Sequence, residues 1–569
     1  MTIVQATYCA TLVDEWVRCG VTNAVICPGS RSTPMAMALS AHKGIRVHIQ
    51  LDERSATFVA LGMGAATGFP AVLCVTSGTA VAECHAGVVE ADLGSVPLIV
   101  VSADRPPVLH QVGAPQTIDQ NHLFSRSVRF FAEPGIVRAE ERTTWRSLAA
   151  RLVYEATAGP HGPGPVHLNQ AFIEPLLAEA GELPPSRLGD SPWHQYHVAH
   201  SLSASFDLPD ISGKKGVLVV GAGAGTVTKI IALSGKLGWP LLGDPRSRAR
   251  VLHPNVIAHA DLLARAQQSE TLIPEVVLQL GSGWISKPLN ALLQKAATRI
   301  VVQPFGHIED PEHSVDHFVH SECDLFVDAL FSRTLSPSPK EWLTAWVEQE
   351  KKAREVVTDF LGLGEKGDHS LSEPALAASL FEWVDDDVTV VVSSSMPIRD
   401  VEWFAPPRSV APRIISNRGA NGIDGVVSTA LGVALGTRKA TVCLVGDLAF
   451  LHDVSALVKM RSSDLVAPLV IVVANNAGGG IFEFLPPSQQ LERERFELLF
   501  GTPPSVDIAA VANGFGHRVR EVATRGEFKE ALNWGLSTPC LSVVVVQLPT
   551  REKNRQLHDE LTKRFNAAF

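Results

Sequence analysis

The chain has 569 residues, with 49 Lys and Arg against 59 Asp and Glu, giving a formal net charge of −10. This length exceeds one ordinary domain of ~150 residues several times over and predicts three or four; the charge argues against a nucleic-acid partner, while a locally basic cleft could still hold anions. Eight cysteines show no CxxC spacing, and most lie in or beside apolar runs, as reduced core residues do.

No apolar run approaches the ~18 residues needed to span a bilayer. The opening stretch MTIVQATYCATLVDEW has no basic leader region and runs straight into an amphipathic helix. A cytoplasmic protein with no membrane insertion is expected. Next, CPGSRSTPMAMAL ends a predicted strand and enters a helix at Thr33-Pro34, where a proline is favourable. Ser30, Arg31 and the backbone N–H groups of that helix start form a candidate anion site. VHIQLDERSATFVALG then places Asp52-Glu53 between a strand and a helix of small residues; acids there also complement the helix dipole. A short strand runs into SGT, and a Pro-led strand ends in SADRPP with Arg105, followed by GAPQTIDQ with Gln116.

A Pro-, Ser- and His-rich stretch, about 182–212, reads as a linker. A middle α/β unit opens at GVLVVGAGAG and closes near LSPSPKEW. Its glycine loop resembles a dinucleotide loop, but the spacing is G-x-G-x-G and Asp244 sits in DPRSRAR, so nucleotide binding is not expected. HIEDPEHSVDHFVH gathers His307, His313, His317 and His320 without an HExxH pattern and reads as a solvated connection.

The last third repeats the grammar of the first. LGVALGTRKATVCLVGDLAFLHD matches LGMGAATGFPAVLCVTSGTAVAE in its sequence of small-residue helix, glycine, strand and polar strand end. Internal duplication follows, with V/I/L-rich strands buried on both faces. The fold class is α/β, with three doubly wound parallel-sheet domains at about 1–185, 200–335 and 350–569. Strand-end Asp447 and Asn475-Asn476 would meet at one crevice, since ligands sit at the carboxyl ends of parallel strands. One carboxylate with neutral oxygens suits Mg²⁺ bound together with substrate phosphates. Ser395 and Arg399 in SSSMPIRD and Arg418 in SNRGANG add cations near strand ends. With Arg31 and Arg105 they point to substrates carrying several carboxylates, which the guanidinium fork suits.

The GD…NN pair followed by AGGGIF resembles the Mg-diphosphate signature of thiamine diphosphate (ThDP) decarboxylases and carboligases, with Leu448 in place of the family glycine. That family has two such modules around a Rossmann-like middle domain, the first gripping the aminopyrimidine and the third the diphosphate. The resemblance implies that Glu53 is catalytic: a carboxyl group bonded to the pyrimidine N1′ favours the imino form that removes the thiazolium C2 proton. It also implies that Ile423 props the cofactor into its bent shape. Asp447, Asn476 and the Gly478 carbonyl would hold Mg²⁺ or Mn²⁺, and Ile481, Phe482 and Leu485 would pack on the cofactor.

PGSRSTP, LDERSA, VTSGTA, SADRPP, APQTIDQ and SNRGANGIDG together resemble one branch, the 2-succinyl-5-enolpyruvyl-6-hydroxy-3-cyclohexene-1-carboxylate (SEPHCHC) synthase family of menaquinone biosynthesis. The implied substrates are 2-oxoglutarate and isochorismate, on a homodimer or homotetramer with active sites shared between subunits. Ser30, Arg31, Arg105, Gln116, Lys287, Ser395, Arg399 and Arg418 are the implied substrate contacts. The family often carries Lys-Arg in the middle domain; here Lys287 is followed by Pro288, so the acceptor clamp is either weaker or completed by another residue. The alternative is an acetolactate-synthase-like 2-oxoacid decarboxylase. An NAD(P) oxidoreductase or a silent ThDP-binding partner fits less well.

Overall fold

The computed structural model describes residues 2–196, 208–304, 309–363, 370–458 and 465–568. Three six-stranded sheets succeed one another along the chain, and every strand pair in them is parallel. The first sheet runs, from edge to edge, Arg46–Ile49, Asn23–Ile26, Ala71–Val75, Leu98–Asp104, Pro165–Ala171 and Phe130–Ala132. The third runs Arg413–Ile415, Thr389–Val392, Thr441–Gly446, Leu469–Asn475, Leu541–Gln547 and Arg518–Val522. Counted within its own module, each has strand order 2-1-3-4-6-5. The duplication visible in the sequence is therefore a duplication of topology. Val217, Val219 and Leu242 of the middle sheet lie in strands whose order, counted the same way, is 6-5-4-1-2-3, the doubly wound order of dinucleotide folds.

The central strands, such as Ala71–Val75 and Leu469–Val473, are buried residue after residue, as sheets covered by helices on both faces require. The polar residues begin where those runs stop. That places Thr76-Ser77, Arg105, Asp447 and Asn476 at the carboxyl edges.

Two local expectations differ. The helix after each strand-end motif is broken: Thr79–Glu83 is followed by His85–Leu93, and Asp447–His452 by the 3₁₀ turn Val454–Leu457. In the third module the first segment packs on the Thr441–Gly446 and Leu469–Asn475 strands and the second on the Val426–Thr437 helix. The histidine-rich segment includes an edge strand, His317–His320, paired with Ile300–Gln303; only Val319 is buried, which is why its composition reads as a loop. His307 lies outside the described residues, and no cluster of metal-ligating side chains occurs among the described ones.

The duplicated modules meet where the Glu53–Thr67 helix crosses the Val426–Thr437 helix. A Cβ on Gly62 would lie 2.2 Å from the Thr429 carbonyl oxygen, and one on Gly432 would lie 2.0 Å from the Val59 carbonyl oxygen. The approach is reciprocal and admits only glycine at both points. Around it, Arg413 donates to the carbonyls of Ala65 and Ala66. Ser55 donates to Asp453, which also accepts from the Ser428 N–H and hydroxyl. Gly62→Val should force the helices apart at a cost of ~1–3 kcal/mol or more. Thermal unfolding followed by circular dichroism should show a clearly lowered midpoint, whereas the same change at exposed Gly514, which has open space, should cost little.

Candidate active site

On the first module, Glu53 is the first residue of its helix, behind Asp52, whose side chain accepts from the Ser55 N–H (3.1 Å). Burial is the main cause of a raised Glu53 pKa, with Asp52 and Glu83 adding to it. Its charge in turn helps push up the thiols of Cys27, at the end of the Asn23–Ile26 strand, and Cys84. The carboxyl therefore sits at the crevice formed by the first two βα turns.

Farther along the same sheet edge, Arg105 donates through Nη1 to the Ser77 hydroxyl and to the Gln116 carbonyl (2.8 Å). The Gln116 side chain donates back to the Ser77 carbonyl (3.3 Å). Arg31 is buried, donating to the Phe172 carbonyl (3.2 Å) and Glu174 Oε1 (3.1 Å). Burial, and then the nearby Arg31, lower the pKa of Arg105. Ser30 is exposed, and its carbonyl accepts from the N–H and hydroxyl of Thr33.

A buried polar network supports this corner from below. Asn169 joins Ser102 (2.8 Å), Asp104 (2.9 Å) and Gln120 (2.8 Å), while Gln120 also accepts from the Gly78 N–H. Ser102 lies 2.7 Å from His167. Burial lowers the His167 pKa to about 3, and Ser102 is wholly buried in a strand, so this serine–histidine pair is scaffolding.

On the third module, Asp447 opens the helix after its strand. Its Oδ2 accepts from the Gly478 N–H (2.8 Å) and its Oδ1 from the Leu448 N–H (2.7 Å). Burial raises its pKa to about 6 against those bonds and the Arg551 charge. Asn476 turns Nδ2 to Glu373 Oε1 (2.8 Å), leaving its Oδ1 buried and without a partner among the described residues. A buried carbonyl oxygen left this way is costly, and a cation beside Asp447 would satisfy it. The donor set of one carboxylate, one carboxamide and the Gly478 carbonyl fits a metal that takes its remaining ligands from phosphate. Gly478 has φ +131°, and a Cβ there would meet the Gly501 carbonyl oxygen at 2.1 Å and approach the Arg551 guanidinium. Phe482, in the turn Gly480–Phe484, packs on Phe500 with ring centroids 5.4 Å apart. Ile481 and Leu485 flank it, half-buried, and Ile423 packs partly buried on the core of this module.

Arg399 and Arg418 lie on one side of this crevice. Arg399 donates to the carbonyl of Ser395, a residue at φ +73° that starts the Met396–Phe404 helix. Burial, then Arg246 and Arg399, push Arg418 down to about 10. The loop that carries Arg418 and Ile423 is gripped from the first module: Glu90 accepts from the Gly419 and Ala420 N–H groups, both at 2.7 Å. Lys287 is exposed at the start of the Lys287–Leu293 helix.

The predicted residues thus form two half-sites. Glu53, Arg31 and Arg105 belong to the first module and Asp447, Asn476 and Arg418 to the third, and the two modules touch through Arg54, which donates to the His452 carbonyl (3.0 Å). Sequence reasoning missed Glu90, Arg246, Glu373 and Arg551. Glu373, in LSEPAL, has the look of an ordinary helix start, which it also is, with Ser372 as its cap. At the glycine loop of the middle domain, the helix-start donors of Thr226 are taken by the protein's own chain. Asp324 accepts from the N–H and hydroxyl of Thr226, both at 2.7 Å, at the start of the Val227–Leu237 helix.

Three family matches tile the chain. They are the thiamine pyrophosphate enzyme N-terminal TPP binding domain at residues 7–123, the middle domain of thiamine pyrophosphate enzymes at 188–391, and the C-terminal TPP binding domain at 396–546. Among curated relatives, the SEPHCHC synthase of Bacillus velezensis is 36% identical over 97% of this chain and 96% of its own. That of Chloroflexus aurantiacus is 38% identical over 88% and 87%, and that of Myxococcus xanthus 37% over 92% and 92%. Similarity of this depth along nearly the whole length, on top of the three thiamine pyrophosphate domains, places the chain in the SEPHCHC synthase family of thiamine pyrophosphate enzymes.

Proposed function

We propose that the chain decarboxylates 2-oxoglutarate and joins the succinyl unit to isochorismate by 1,4-addition, forming SEPHCHC for menaquinone biosynthesis in the cytoplasm. The observation that carries this reading is the crowding of guanidinium groups: Arg31 presses on Arg105, and Arg399 on Arg418. Like charges brought together and partly buried are relieved by an anion between them. A pair of dicarboxylates supplies several, more than a pyruvate-type substrate would, beyond protein carboxylates such as Glu174 that already answer part of the charge.

Thiamine diphosphate, when bound, supplies the electron sink for loss of CO₂. Asp447, Asn476 and the Gly478 carbonyl hold Mg²⁺ or Mn²⁺ against the diphosphate. Ile423, Ile481, Phe482 and Leu485 shape the apolar bed. Glu53, with its proton affinity raised by burial, holds a proton against the pyrimidine ring nitrogen. Ser30, Arg31, Arg105 and Gln116 orient substrate carboxylates from one side, and Ser395, Arg399, Arg418 and Lys287 from the other. The working enzyme is a homodimer or homotetramer with each centre shared between subunits, a reading supported by the resemblance to the thiamine diphosphate family. The domains run about 1–185, 200–335 and 350–569.

Incubation with thiamine diphosphate, Mg²⁺, 2-oxoglutarate and isochorismate should release CO₂ and give the adduct by mass spectrometry. Equal turnover of pyruvate, with no adduct from isochorismate, would replace this reading with an acetolactate-type one. In Glu53→Gln, cofactor affinity should stay within a few-fold while turnover and C2 proton exchange fall ~10²–10⁴-fold, the usual worth of a positioned acid–base group. Near-normal exchange measured by NMR would remove Glu53 from this role. For the metal, chelation by EDTA should abolish activity and Mg²⁺ should restore it in the wild type. Asp447→Ala should not recover, because only neutral protein ligands remain; calorimetry showing undiminished thiamine diphosphate affinity in that variant would count against the assignment.

A further inference from the structure

Of the three ligands proposed for the metal, two are oriented by backbone. Asp447 has each carboxylate oxygen on an N–H group, of Gly478 (2.8 Å) and of Leu448 (2.7 Å), and the Gly478 carbonyl follows the path of its loop. Asn476 differs, because its amide has two unlike ends: an oxygen that accepts and an NH₂ that only donates. Half a turn about the last side-chain bond would exchange them and set N–H dipoles against a cation. A neighbour has to select the end.

Asn475, one residue earlier, directs its own amide along the sheet edge to Gln547 Oε1 (3.0 Å). Asn476 instead donates from Nδ2 to Glu373 Oε1 (2.8 Å), at the start of the Glu373–Trp383 helix. That start is anchored independently: the Ser372 hydroxyl accepts from the Ala375 N–H (3.3 Å), and the Leu371 N–H donates to the Ala523 carbonyl (3.0 Å). Gly480 walls the amide, since a Cβ there would lie 2.6 Å from Asn476 Nδ2. Glu373 is buried beside a small cavity that it shares with Asp400, and the charges that act on it, Asp400 and Asp447, are both acidic. A buried carboxyl in such company adds little to stability. What it offers is an acceptor at one fixed point.

We propose that Glu373 is a positioning residue for the metal ligand Asn476: by taking the amide N–H, it keeps the amide oxygen turned to the cation beside Asp447. This rests on the proposed function, in which Asp447 and Asn476 hold Mg²⁺ or Mn²⁺. The Asn476 Oδ1 atom, buried and without a partner among the described residues, is the end that this contact leaves for the metal. Partners that orient a ligand from behind are typically worth about 10- to 100-fold in metal affinity.

The test uses the full-length protein with saturating thiamine diphosphate and Mn²⁺ as the probe, free Mn²⁺ being read by electron paramagnetic resonance. Glu373→Met, similar in volume but without an acceptor, should weaken Mn²⁺ binding about 10- to 100-fold, while the metal-free unfolding midpoint stays at or above the wild-type value. Glu373→Gln keeps a carbonyl oxygen and should stay within about threefold. In an Asn476→Asp background the effect of Glu373→Met should vanish or reverse. A carboxylate presents an oxygen whichever way it turns, and Glu373 would then face a like charge. Unchanged Mn²⁺ affinity in folded Glu373→Met, an equal loss in Glu373→Gln, or the same loss in the Asn476→Asp background would each overturn the proposal. If Glu373→Met does not fold, a crystal structure of the wild-type protein with Mn²⁺ and thiamine diphosphate decides. Asn476 bound to the metal through Oδ1 while still donating to Glu373 supports the role, and an amide turned off Glu373 refutes it. Wild-type protein that takes up no Mn²⁺ with thiamine diphosphate would overturn the metal site of the proposed function, and this role with it.

Discussion

Everything catalytic in this chain hangs from one helix crossing. The Glu53–Thr67 and Val426–Thr437 helices touch backbone to backbone at Gly62 and Gly432, a separation that no side chain permits. Each helix begins at or beside a residue proposed for the reaction, Glu53 on one module and the Ile423 loop on the other. A shift in the crossing would therefore displace both. The surrounding polar bonds, from Ser55 and Ser428 to Asp453 and from Arg413 to Ala65 and Ala66, fix the rotation of the helices about that contact. Glu90 extends the same logic to the Arg418 loop, gripping two successive N–H groups with one carboxylate.

Much of this was legible in the residues because parallel sheets impose a strict grammar. A strand buried on both faces is largely apolar until it ends, so the polar residues just past it mark the crevice edge, as at Asp447, Asn476 and Ser77; Arg105 follows a strand that already carries buried Ser102 and Asp104. The glycines that allow the helix crossing appear at corresponding places in both halves, which made the duplication readable before any coordinates. The matching 2-1-3-4-6-5 strand order is the same fact expressed in space.

What stayed hidden was side-chain function that depends on contact between distant segments. Arg250 sits in a turn with two other arginines, and nothing in DPRSRAR marks it as the one that donates to the Val401, Glu402 and Ala405 carbonyls of the third module. Glu373 reads as a helix-start acid, yet it fixes the orientation of the Asn476 amide from 103 positions away in the chain. Glu90 lies in an unremarked helix and acts across a module boundary 329 residues distant. Periodicity and strand-end rules describe local chemistry; these residues owe their roles to packing that only the assembled modules create.

The middle domain keeps the strand order of a dinucleotide binder and a glycine loop to match, but Asp324 occupies the helix start where a phosphate would lie. A carboxylate supplied by the protein itself is a permanent tenant: it cannot be competed away by the nucleotide pools of a growing cell. With that contact made, the Thr226 N–H and hydroxyl at the helix start serve the protein's own carboxylate.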